Sequence, residues 1–393
     1  MRLLLRIAAV AVSGAALFEA GTVNGLVQLE ASAVGGLFTA LAVAAALVVM
    51  ALALTGTGRG DAATTTPAAL VTPMRAVFVF VAVTALVGLA WLRGIPYPPL
   101  HNATPFHNDA IALNECAAQT LMAGANPYAE FGLFNCYSAR GLGPDRTTPL
   151  RRGAFAEVEI YPTEEQLDAA WREGDDFAFV QRPSYPSLSF LLLVPWVALG
   201  VDNNVLYVLC LLAAMALVLA RAATGSRPFL LTGLLAAVSL TAFTVGGSAD
   251  LLYALPLGAA WLWRERRWSA LALGVAVSVK QLAWPFAPFY LIQIIAQQGW
   301  REAARRAGLA GGLFAAVNAP FVVWDAQAWM LGVLTPLSEP MFPRGVGLVA
   351  LGTNGAAPLL SATTYLLLEA AAAVAALALA WRTRRTSPEL GIV

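Results

Sequence analysis

Two ionisable residues stand where the surrounding chain is almost all hydrocarbon. Asp109 opens the run "HNDAIALNECAAQTLMAGANPY" (107–128), and Lys280, in "SALALGVAVSVKQLAWP", is the single lysine against 23 arginines. Asp109 has two readings. As an N-cap, its carboxylate accepts the free N–H groups of a helix's first turn. As a general base, it would be held at the mouth of a membrane cleft, close to where a lipid head group lies. An ionisable group inside a span costs about 2.5–3.5 kcal/mol on insertion scales. Lys280 therefore either snorkels to the interface or stabilises a developing anion. Its helix should break at Trp284-Pro285 just beyond.

Weaker candidates surround these two. Arg344, in "SEPMFPRGVG", is either a second anion clamp, with Gly345 and Gly347 permitting close backbone approach, or a solvated loop arginine paired with Glu339. Asp250, in "GGSAD", either caps a helix or contacts a hydroxyl. His107 and His101 read as loop histidines, and "DD" at 175–176 as a solvated acidic loop. With two histidines and no His-x-x-x-His or Cys-x-x-Cys spacing, no transition-metal site is expected. Cys116 and Cys136 are candidates for a disulfide in an external, oxidising setting. Cys210 falls in an apolar run and reads as packing.

The elements that must position these residues are helices in a membrane. The 393 residues are 59% hydrophobic and 12% charged, with mean hydropathy +0.69. Soluble domains carry about 25% charged residues, so the chain reads as an integral membrane protein. Spans are expected at 5–28, 33–55, 76–93, 203–221, 228–246, 250–263, 267–282, 284–298, 306–324 and 357–381, all helical because unpaired backbone is too costly in lipid. The N-terminal basic and apolar run is either a signal peptide or, as favoured here, a retained first span. The division is 1–93, N-terminal spans; 94–183, a hydrophilic insertion; and 184–393, a C-terminal bundle. The insertion holds 12 of the 23 acidic residues.

Arginines in short loops stay cytoplasmic. Arg2, Arg6, Arg59, Arg75, Arg221, "RERR" (264–267), Arg301, Arg305, Arg306 and "WRTRR" (381–385) all fall on one side if "YPSLSFLLLVPWVALG" (185–200) re-enters rather than crosses. The insertion, Asp250, Lys280 and the loop 325–355 then gather at the outer boundary. The helix after Asp109 is bounded by Gly124 and Asn126-Pro127. With Asn114, Glu115 and Gln119 on a polar side, it is expected to lie in the interface plane. Net charge +1 and the lack of a basic patch give no sign of nucleic-acid binding.

"LMAGANPY", "SYPSLSFLLLVPWVALG", "GGSADLLYALPLGAAWLWRERR" and "SALALGVAVSVKQLAWPFAPFYL" follow one another in order. In that order they resemble the polyprenol-phosphate-sugar-dependent glycosyltransferases of family 87, α-mannosyltransferase-like members of the membrane GT-C class. The resemblance runs over roughly 105–355. Ser187 stands where the family has a second Pro, "GGSAD" lacks the family's Gln, and the first two spans are additional. The resemblance implies an all-α, polytopic GT-C-like bundle of about ten spans with interfacial helices in a large external loop. It implies inverting transfer of a hexose, most readily mannose, from a polyprenyl-phosphate donor to a cell-envelope lipid or glycan acceptor on the outer face, without a cofactor. Asp109 would be the catalytic base; Lys280, Arg344, Asp250, Tyr185, Asn126 and Tyr128 would bind substrate. A transporter or lipid-linked sugar flippase is the competing class, and predicts internal repeats around a midplane site. A structural or assembly protein is a third, in which Asp109 is dispensable.

Overall fold

The computed structural model describes residues 109–201, 203–221, 250–343, 349, 352 and 358–385. The expected spans at 5–28, 33–55, 76–93 and 228–246 lie outside these residues, as do His101, His107 and Arg344. The described chain is mostly helical, with isolated bridges in place of strands. Among the described residues, two helices are long and apolar enough to cross a membrane, Trp300–Trp324 and Ala362–Thr383.

The helices, in order, are α1 (Asp109–Met122), α2 (Leu133–Ala139), α3 (Glu164–Glu173), α4 (Leu188–Leu191), α5 (Val194–Ala198) and α6 (Asn204–Arg221). There follow α7 (Asp250–Leu262), α8 (Ser269–Val279), α9 (Phe286–Gln298), α10 (Trp300–Trp324), α11 (Ala326–Val333), α12 (Thr335–Ser338) and α13 (Ala362–Thr383). Two compact units emerge. One comprises Met1–Asn108 and Gly200–Leu251; the other comprises Asp109–Leu199 and Leu252–Val393. The units cut across the sequence divisions at 93 and 183, because most of the insertion packs with the C-terminal helices. In the first unit the described structure is α6 and the opening of α7.

In the second unit α1 is a core helix. Every residue from Ala110 to Ala118 is buried, including Asn114 and Glu115, whereas the sequence placed those two on a solvated face. The difference has a local cause. Glu115 is ion-paired with Arg140, just past α2, and Cys116 is joined to Cys136 of α2 by a disulfide. Charge compensation and the cross-link allow that face to turn inward. The other side of α1 packs on α4 and α5.

The segment 185–200 forms α4 and α5, closed by Gly200 at φ 64°. Residues 188–198 measure about 16 Å along a helix at 1.5 Å per residue, too short to cross about 30 Å of hydrocarbon. Helix α3 is set locally. Thr163 accepts from the Gln166 N–H at 3.3 Å, and Gln166 Oε1 accepts from the Thr163 N–H at 2.9 Å. These two bonds form a capping box.

Helices α8, α9 and α10 form the bundle, around Leu273, Tyr290, Ile294 and Ala310. Gly274 lets α8 approach α10 closely, since a Cβ there would lie 2.9 Å from the Leu313 side chain. Helix α10 begins at Trp300 rather than 306, so Arg301, Arg305 and Arg306 lie on helix and not in a loop. The (i, i+4) bond from Arg306 to Glu302, 3.2 Å, supports that first turn. Arg306 is fully buried. It donates to Gln298 at 2.7 Å, to the Tyr290 hydroxyl at 3.1 Å, to Ser269 at 3.2 Å and to the Arg264 carbonyl. This knot ties the basic 264–267 turn to one end of the bundle.

Candidate functional site

The other end of α8 carries Lys280. The helix stops at Val279, and Lys280 itself is extended, with φ −150° and ψ 140°. The sequence carried this helix to 282. Where it ends, a side chain a few residues on takes up a carbonyl of its last turn. Trp284 Nε1 donates to the Val277 carbonyl at 2.9 Å, and a short 3₁₀ turn, Gln281–Ala283, leads into α9. The break turns Lys280 out of the helical stack. Its Nζ lies 5.2 Å from the centre of the Tyr185 ring and 5.7 Å from that of Tyr253. Both are cation–π distances, and the ammonium is half-buried between the two rings.

Gln281 fastens this corner. Its Nε2 donates to the Ser184 carbonyl at 2.7 Å and to the Val333 carbonyl at 2.5 Å. One amide thus joins the break after α8 to the loop before α4 and to the end of α11.

The turn after α1 forms the adjoining wall. Gly124 has φ 83°, a left-handed C-terminal cap, and Pro127 prevents the helix from continuing. Asn126 Oδ1 accepts from the Tyr128 N–H at 3.1 Å, while Glu130 Oε1 accepts from the Asn126 N–H at 3.0 Å. Asn126 and Tyr128 are buried. The Tyr128 ring meets Phe190 and Phe321 edge to face, each at 5.7 Å. Its hydroxyl donates to the Tyr185 carbonyl at 2.7 Å. Burial pushes the Tyr128 phenol well above its ordinary pKa. Gly332 of α11 is required here, because a Cβ would lie 2.5 Å from Tyr128 Cδ1 and 2.8 Å from the Pro183 carbonyl.

Ser187, where the family resemblance expects proline, anchors the far side of the Tyr185 loop. Its hydroxyl donates to the Val317 carbonyl and to Asn318 Oδ1, both at 3.0 Å, and its N–H donates to the same Asn318 oxygen at 3.1 Å. Trp329 Nε1 is a further donor to that oxygen, at 3.1 Å. A proline could supply neither the hydroxyl nor the N–H. Serine here substitutes hydrogen bonds for ring rigidity.

Asn126, Tyr128, Tyr185 and Lys280 therefore gather in one corner, although they come from three distant stretches of sequence. Asp109 is the first residue of α1, at the other end of that helix from Met122. Asp250 begins α7 and belongs to the first compact unit. Glu339 pairs with Arg152 at 2.5 Å, while Arg344 lies outside the described residues.

Gln281, Tyr253 and Asn318 carried no sequence signal of their own. Their roles come from partners 27 to 131 residues away in the chain. Chemically, the corner offers a half-buried cation, two aromatic faces and a rigid frame, a set suited to an anion joined to a ring. No protein-family model, curated protein or solved structure matches this chain.

Proposed function

We propose that this chain is a multi-pass membrane glycosyltransferase that moves a hexose, most readily mannose, from a polyprenyl-phosphate donor to a cell-envelope lipid or glycan acceptor. The observation that carries the reading is the Lys280 ammonium held between the Tyr185 and Tyr253 rings beside the Asn126–Tyr128 turn. In this reading Lys280 holds the donor phosphate, and the tyrosine faces stack against its sugar. In this reading the bundle has about ten spans; among the described residues α10 and α13 are long and apolar enough to cross a membrane. The basic turn knotted by Arg306 and the Lys280 corner sit at opposite ends of α8. Arginines in short loops favour the cytoplasm, which supports an extracytoplasmic site at the other end.

The chemistry is a single inverting displacement. The acceptor oxygen bonds to the anomeric carbon from the face opposite the phosphate. The carbon–oxygen bond to phosphate breaks, and the phosphate leaves with the electron pair. The acceptor proton passes to the Asp109 carboxylate, and Lys280 meets the charge that grows on the phosphate. No second carboxylate nucleophile is needed, unlike in a retaining hydrolase. The reading requires the Asp109 carboxylate to reach the acceptor hydroxyl where it attacks the anomeric carbon, on the face opposite the phosphate held by Lys280, with Arg344 as a further substrate contact.

The test uses purified full chain in nanodiscs with radiolabelled polyprenyl-phosphate mannose and envelope lipid. Label should enter the acceptor, and Asp109→Asn should abolish incorporation while leaving expression and folding intact. Label that crosses the bilayer without incorporation would make the protein a transporter instead.

A further inference from the structure

A cavity of about 260 Å³ opens beside the Lys280 corner, within the second unit. Its floor is Val180 and Thr335, both buried, and its walls carry Arg152, Glu339, Gln181 and Arg182. Asp176 and Phe177 stand at the rim, and the Phe177 ring is 58% exposed. The walls are held by short extended pairings. The Leu150 N–H donates to the Ala178 carbonyl at 2.9 Å, and that of Arg151 to the Pro340 carbonyl at 2.8 Å. Residues 150–152 are thereby clasped between 176–180 and 339–341.

We infer that this cavity is a subsite for one uncharged hexose unit of the acceptor. The inference rests on the transferase reading for its word "acceptor" but not for its chemistry. Three observations carry it. First, the charges cancel. Arg152 is spent on Glu339 at 2.5 Å and on the Phe177 carbonyl at 2.6 Å, which leaves Arg182 against Asp176. A phosphate would meet two carboxylates here, whereas a neutral polyol meets donors and acceptors in balance.

Second, among the described residues the side chains of Asp176, Gln181 and Arg182 take no hydrogen bond or ion pair within the protein. Carboxylate, amide and guanidinium groups around an aromatic face are what the hydroxyls and the apolar face of a pyranose require. The Arg152 guanidinium lies 4.3 Å from the centre of the Phe177 ring and holds that ring in position. The volume falls just under the roughly 300–1,000 Å³ of drug-sized ligand sites, so it suits one ring rather than a chain.

Third, the cavity adjoins the cation. The Gln281 amide binds the carbonyls of Ser184 and Val333. Each is two residues from a cavity-lining residue, Arg182 and Thr335 respectively, a span of at most about 7 Å.

The experiment is saturation-transfer NMR on the full chain in nanodiscs, with methyl α-mannopyranoside, methyl α-glucopyranoside and methyl α-galactopyranoside as probes. At least one should bind wild type, and Asp176→Asn and Phe177→Ala should each weaken it about tenfold, the scale of one lost good contact. Both residues are exposed, so neither substitution disturbs the core. Glu339→Gln, which breaks an ion pair, is read only alongside a melting curve. If no probe binds wild type, or if both rim variants bind as wild type does, the subsite is refuted. Sugar transfer is assayed on the same preparations. Rim-dependent binding without any transfer would keep the subsite and remove the transferase reading. Transfer with rim-independent binding would do the reverse.

Discussion

The Tyr128 hydroxyl donates a 2.7 Å hydrogen bond to the backbone carbonyl of Tyr185. It links the turn that follows α1 to the loop whose aromatic ring faces Lys280. Tyr128→Phe leaves that carbonyl without its donor and should cost about 1–3 kcal/mol, seen as a lower melting temperature. If the Tyr185 ring positions substrate, the same variant should raise the donor KM more than it lowers kcat.

The pH dependence of this link has a definite sign. Burial raises the Tyr128 phenol's folded pKa above its unfolded value of about 10. The neutral form is therefore favoured by folding. Its stabilisation is complete below the unfolded pKa and is lost as pH rises through the folded one. The tyrosinate absorbance of wild type and Tyr128→Phe should coincide up to alkaline unfolding. A wild-type excess of one ionised tyrosine near pH 10, in folded protein, contradicts the burial argument.

Gln281 donates to two segments, at the Ser184 and Val333 carbonyls. Gln281→Leu keeps the volume and removes both donors, so it should destabilise the protein by about 2 kcal/mol. Hydrogen exchange should rise at Ser184–Tyr185 and Val333 together. A rise confined to one of them would mean that the amide does not couple the two.

Gly332→Ala tests the closeness of α11 to Tyr128. The added methyl would meet Tyr128 and the Pro183 carbonyl well inside contact distance. Overpacking of this kind costs about 1–3 kcal/mol. Combining it with Tyr128→Leu should recover part of the loss, because the obstructing ring is gone. Calorimetry of the pair and of each single variant decides the point.

Much of the scaffold was legible in sequence because its signals are local. The Gly124–Pro127 stop and the apolar run of Ser269–Val279 each lie within a few neighbouring residues. The misreadings have a common physical origin. The end of α8 is set by Trp284 and Gln281 reaching other segments, which the uniform apolarity of 267–282 cannot encode. Arg306 reads as a loop marker of orientation, yet a Glu, a Gln, a Tyr and a Ser gather to bury it. Asn114 and Glu115 read as a wet face, and become core because a disulfide and an arginine cover that side of α1. The convergence of Asn126, Tyr128, Tyr185 and Lys280 was suggested by motif order alone.

The Cys116–Cys136 bridge closes a loop of 20 residues against α1. By the chain-entropy account it is worth about 3 kcal/mol. Cys136→Ser, or reduction, should lower stability by that amount and expose the Glu115–Arg140 pair to solvent. Melting with and without reductant checks it, and the serine variant should lose its response to reductant.

The central claim is that Lys280 grips the donor phosphate. A structure of the full chain with a polyprenyl-phosphate sugar bound measures this directly. A phosphate oxygen is expected about 3 Å from Lys280 Nζ, with the sugar against Tyr185 or Tyr253 and the Asp109 carboxylate facing the anomeric carbon. A phosphate bound away from Lys280, with that lysine still enclosed by its two tyrosines, would contradict it.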